Sequence, residues 1–72
     1  MRTIRISAEY DPKASVWVAE SADIPLLITE ADTVEALLAK LPGMISDLIE
    51  DDSRDVIIDL TTHSTESVAL PV

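Results

Sequence analysis

Residues 23–36, reading DIPLLITEADTVEA, constrain this chain more than any other stretch. An apolar run, a polar hinge and a helix start follow one another here, so a strand must hand over to a helix. Pro25 cannot donate to a sheet ladder and marks a strand boundary. Residues 26–29 then read as a short strand, with Leu26 and Ile28 on one face and Leu27 on the other. Asp32 and Thr33 are both good N-caps. Asp32 with Glu35 three residues on forms an acidic variant of the capping box, and acids suit the positive end of a helix.

The helix launched there is expected to reach about Glu50. Val34, Leu37, Leu38, Leu41, Met44, Ile45, Leu48 and Ile49 recur at three- and four-residue spacing and make one apolar stripe. Pro42 and Gly43 interrupt it. Proline removes one backbone hydrogen bond and crowds the preceding turn, but the stripe stays in phase across it. That pattern predicts one kinked helix rather than two.

The segments on either side alternate with period two. In residues 3–10, Ile4, Ile6, Ala8 and Tyr10 point one way and Thr3, Arg5, Ser7 and Glu9 the other. Asp11-Pro12-Lys13-Ala14 has turn chemistry, because proline fixes φ and aspartate can bond its own backbone. Residues 15–20 return as a second strand. Val16 and Val18 share one of its faces, Trp17 and Ala19 the other; with the valines placed toward the core, Trp17 stands on the outer face. Residues 55–62 form a fourth strand, with Val56, Ile58 and Leu60 opposite Ile57, Asp59 and Thr61. The order β-β-β-α-β defines a single α+β domain over residues 1–62. Its expected sheet order is 3-2-1-4, with the helix on one face and a right-handed crossover into the last strand. Residues 63–72 are expected to be a C-terminal tail, frayed or added as a strand to a neighbouring chain.

With 72 residues, the chain buries only about 60% of its unfolded surface, so its core is thin and a partner or second copy would help it. Phenylalanine is absent, leaving Leu, Ile, Val and Ala to build that core beside Trp17 and Tyr10. Fourteen acids against five bases give a net charge of −9, which repels phosphate backbones and attracts basic proteins. The absence of cysteine removes disulfides, thiolate catalysis and cysteine metal sites. The N-terminus has no continuous apolar segment of the signal-peptide kind, and no run approaches the roughly 20 residues a membrane helix needs. A cytoplasmic protein that binds neither membrane nor nucleic acid directly is the expectation.

Catalytic patterns are weak. Asp51, Asp52 and Asp55 could meet a hard cation, but the fixed spacing and glycine of a calcium loop are missing. Glu9 and Asp59 share the outer face, where a two-metal nuclease would need paired carboxylates. His63 has no orienting partner in the sequence, no serine sits in a Gly-x-Ser-x-Gly setting, and one glycine cannot cradle a phosphate. No enzyme activity and no cofactor are expected. The stronger signal is the outer sheet face, where Trp17, Ala19, Leu27 and Ile57 fall by alternation, with Glu20, Asp23 and Glu30 at the margin. An uncovered apolar patch with an aromatic anchor and a polar rim has the anatomy of an interface.

The run VWVAESADIPLLITEADTVEALL resembles the HicB-like antitoxin superfamily, and most closely its short branch without a C-terminal DNA-binding domain. That superfamily has a hairpin, an Asp-x-Pro-Gly-x-x-Thr element and a Thr-x-x-Glu-Ala-like helix start. Here Asp23, Pro25, Thr29, Asp32, Thr33 and Glu35 occupy the matching positions. Leu26 stands where the superfamily has glycine, and Ser21-Ala22 replaces an aromatic-proline pair. The resemblance spans about residues 4–50. It implies a truncated ribonuclease-H-like domain without a catalytic constellation, which binds and blocks a small basic HicA-type toxin, an mRNA interferase. The alternative is a structural or regulatory homo-oligomer with no toxin, a homodimer or larger, in which the outer face is buried against a second copy.

Overall fold

A computed structural model describes residues 2–49 and 56–71. Its elements are β1 (Arg2–Asp11), β2 (Val16–Ser21), β3 (Ile28–Ala31), α1 (Val34–Leu48) and β4 (Val56–His63). The sheet order is β3-β2-β1-β4, with β1 antiparallel to β2 and parallel to β4, and β2 antiparallel to β3. The expected β-β-β-α-β fold and 3-2-1-4 order are both present.

The hairpin fixes which side of β2 meets the core. Asp11 pairs with Val16 across a four-residue loop, so Tyr10 faces Trp17 and Ala8 faces Ala19. Residues directly opposite in an antiparallel pair share a face. The even-numbered core residues of β1 therefore gather the odd-numbered residues of β2, and Trp17 and Ala19 turn inward. Placing Val16 and Val18 inward needs an odd-length loop; they lie instead on the outer face. Asp11 Oδ1 accepts from the N–H groups of Lys13 (3.0 Å) and Ala14 (3.4 Å), the local bonding that the turn sequence anticipates. Ser15 completes the loop with a φ of 57°, in the left-handed region.

The third strand begins later than the alternation implies. Leu27 N–H donates to Ile24 C=O at 3.0 Å, closing a turn with Pro25 at its second position. Ile24 and Leu27, at the turn's two ends, are buried, whereas Leu26 at its tip is 80% exposed. Leu27 is thus a core residue before the strand, not an outward residue within it. Leu26 keeps a negative φ, since Ser15 alone among the described non-glycine residues has a positive one, so this turn does not require glycine.

Thr33 wins the N-cap over Asp32: its Oγ1 accepts from Ala36 N–H at 3.0 Å. The helix runs through Pro42 as one element and ends at Leu48, with Ile49 as C-cap. Glu50 and the aspartates at 51, 52 and 55 lie outside the described residues. Leu37, Leu41 and Ile45, one turn apart, are the buried residues of α1. They meet Ile4, Ile6, Ala8, Ala19, Ile24 and Leu27 in a single core, with Trp17, Ala31, Ile49, Val56, Ile58 and Leu60 packed at its edge.

Candidate protein-interaction face

The helix covers one side of the sheet. On the other side the registers lay out a grid of rows running across the strands. Ile57 lies beside Thr3 and Asp59 beside Arg5; Ser7 sits between Thr61 and Glu20, and Glu9 between His63 and Val18. Ile28 lies beside Glu20, and Glu30 beside Val18. Val18, Ile28 and Ile57 thus stand as apolar points among Glu9, Glu20, Glu30 and Asp59. A shallow cavity of about 350 Å³ opens there against Ser7, Val18, Glu20, Thr61 and His63. His63 Nδ1 lies 3.7 Å from Glu9 Oε1, with both side chains well exposed.

Of the residues that the sequence assigns to this face, Ile57, Glu20 and Glu30 are on it. Trp17, Ala19 and Leu27 are not. Ala19 and Leu27 are fully buried under the helix, and Trp17 lies against the core edge with its ring 5.3 Å from that of Tyr10. Loop parity accounts for the first two of these inward residues, Trp17 and Ala19, and the turn at Pro25 for Leu27. The alternation does hold a signal for Val18 and Ile28, but assigning β2 to the wrong side masks it.

Asp23 bonds within the domain. Beyond Ser21, β2 no longer runs beside β1, which leaves the backbone of Arg5 facing a gap. Side chains fill it. Arg5 N–H donates to Asp23 Oδ2 at 2.8 Å, and Ser21 Oγ donates to Arg5 C=O at 2.8 Å. Ser21 Oγ also accepts from the N–H groups of Asp23 and Ile24, at 3.1 and 3.2 Å. The Arg5 guanidinium then forks onto the same carboxylate, at 2.9 Å to Oδ1 and 3.3 Å from Nε to Oδ2. These bonds to Arg5, from its side chain first and its backbone second, hold the Asp23 carboxyl down at about 2, and the Arg5 pKa is raised in turn. Asp23 closes the sheet edge. Ser21, which sequence reasoning passes over, is its partner; a serine two residues before an aspartate at a strand end is the signal that could have found it.

The carboxylates of the nuclease reading stay apart. Asp59 faces Arg5, and Glu9 faces His63, four residues farther along the parallel register. That offset is roughly 13 Å at the rise of a strand, against the 4 Å or so of a two-metal site. Among the described residues no group of three His, Asp or Glu side chains could hold a metal ion. Among them, too, no helix is long and apolar enough to cross a membrane.

The fold and the site describe a small α+β domain with one helix-covered sheet face and one open, acidic face. The family model of a domain of unknown function, DUF1902, matches residues 3–70, and the chain belongs to that family. A hypothetical protein from the extremely thermophilic bacterium Thermus thermophilus is similar in structure, with a TM-score of 0.68 and 41% identity over 96% of this chain and all of that one. No curated protein matches significantly.

Proposed function

We propose that this chain is a non-enzymatic protein-binding module of the HicB-like antitoxin kind, whose open sheet face covers a small basic toxin of the HicA type. The observation that carries the reading is the composition of that face. Glu9, Glu20, Glu30 and Asp59 surround Val18, Ile28 and Ile57, while the cation among them, Arg5, is held by Asp23. Apolar points supply area to bury, and the acids steer a cationic partner and fix its orientation. The net charge of −9 extends the same field over the molecule.

The test is co-expression with any short basic protein encoded beside this chain, followed by purification at low salt. A stoichiometric complex of micromolar affinity or tighter is expected, and the partner's RNA cleavage should fall as this chain is added. Reversing two acids with Glu20→Lys and Glu30→Lys should weaken binding about 10- to 100-fold, mostly through slower association. Absence of any complex at micromolar concentration and low salt would sink the idea.

A further inference from the structure

Beyond His63 the chain leaves the body of the domain. Residues 64–71 form no helix or strand and are exposed throughout, yet the family match runs to residue 70, so this arm belongs to the domain. It gives the molecule extents of 58 × 20 × 19 Å and a radius of gyration of 14.6 Å. A compact chain of this length has about 11 Å. Val68 and Leu70, two residues apart and so on one side of an extended segment, are 64% and 81% exposed.

The same end of the sheet carries an apolar groove. Tyr10, Pro12 and Trp17 line it, with a volume of about 650 Å³, and the first arm residues, 64–67, form its other wall. Trp17 is only half-buried there, against the core edge. The arm therefore passes beside the groove with its polar residues and carries its apolar ones beyond. At the rise of an extended chain, Val68 and Leu70 lie about 16 and 23 Å past His63.

We propose that this arm is exchanged between two copies of the chain, so that Val68 and Leu70 of one copy cover the Tyr10–Trp17 groove of the other, and the reverse. A two-fold axis beside the groove makes the exchange reciprocal, since groove and arm leave the domain at the same end. The chemistry favours a second copy as occupant. The segment Ser67-Val68-Ala69-Leu70-Pro71 is uncharged, and so is the wall of Tyr10, Pro12 and Trp17, with Glu66 as the acid on the opposite wall. Two bodies of charge −9 repel, and an uncharged arm tip on the Tyr10, Pro12 and Trp17 wall allows contact with Glu66 as the acid at hand. The open sheet face stays free, so this inference does not rest on the toxin-binding reading.

The chain has no cysteine, which makes disulfide trapping clean. The full chain carrying Pro12→Cys and Leu70→Cys is oxidised at tens of micromolar and run without reductant. Exchange yields a covalent dimer of twice the 7.8 kDa monomer mass. A cross-linked monomer shows the arm folded onto its own groove and overturns the proposal, as does the lack of any cross-link. In the cysteine-free chain, sedimentation should show a dimer that tightens as salt rises. Val68→Asp with Leu70→Asp should raise its dissociation constant at least about tenfold by putting charge where apolar area was buried, and shift Trp17 emission to the red. Both residues are exposed in the monomer, so these variants fold. A wild-type chain that stays monomeric at high concentration and high salt overturns the exchange and leaves the toxin-binding reading to its own test.

Discussion

Asp23 holds both the backbone N–H and the guanidinium of Arg5, and its ionisation should be visible in the stability of the whole domain. Its carboxyl titrates at about 2 in the folded chain, against an ordinary value of 3.8. A carboxyl whose pKa is depressed by folding stabilises the fold fully above the unfolded value, and that contribution is lost as pH falls toward the folded value. The Asp23→Asn variant, which cannot ionise, should therefore be less stable than the wild type at pH 7 by urea denaturation. The gap should narrow between about pH 4 and pH 2, where the wild-type carboxyl takes up its proton. A gap that stays constant down to that acid limit would assign the effect to the lost shape of the carboxylate rather than its charge. The sequence marks Asp23 as a contact candidate, and in the fold its bonds run to Arg5 of the same chain. The aspartate itself is legible; its geometry depends on β2 ending at Ser21, which no local pattern declares.

At the scale of elements, the helix is the part read most fully from sequence, because a period of 3.6 over fifteen residues leaves little choice. Strand faces are harder, since a one-residue shift in parity inverts every side chain. The loop between Asp11 and Val16 decides that parity for β2, and loop length is not encoded in the alternation. The turn at Pro25 similarly moves Leu27 into the core, because a proline-led turn consumes two residues that look like strand. Within the helix, Gly43 offers a clean test of propensity. A Cβ built there meets nothing within 4 Å, so adding one costs no packing. Gly43→Ala should stabilise the domain by about 0.5–1 kcal/mol, from the reduced freedom of the unfolded chain and the better helix former. The readout is the midpoint of urea unfolding, with the denaturant slope unchanged. A destabilised Gly43→Ala would mean that the helix near Pro42 needs glycine's backbone freedom.

For the whole molecule, charge and apolar area point to two kinds of association, and salt separates them. The sheet face with Glu9, Glu20, Glu30 and Asp59 would meet a cationic partner across partly solvated charges. Their mutual attraction is screened over about 10 Å at 0.1 M salt and about 3 Å at 1 M. The Tyr10–Trp17 wall and the uncharged arm tip, residues 67–71, gain nothing from counter-charges, while the bodies they join both carry −9. Raising sodium chloride from about 0.05 to about 0.5 M, roughly a threefold change in screening length, should thus act in opposite directions. Affinity for the basic partner should fall by about tenfold or more, chiefly in the association rate. Self-association should strengthen, because repulsion is screened while apolar burial is not. Isothermal titration for the first and sedimentation equilibrium for the second give both slopes on one preparation. If the two slopes share a sign, the same surface serves both contacts, and the division between an acidic sheet face and an apolar arm is wrong.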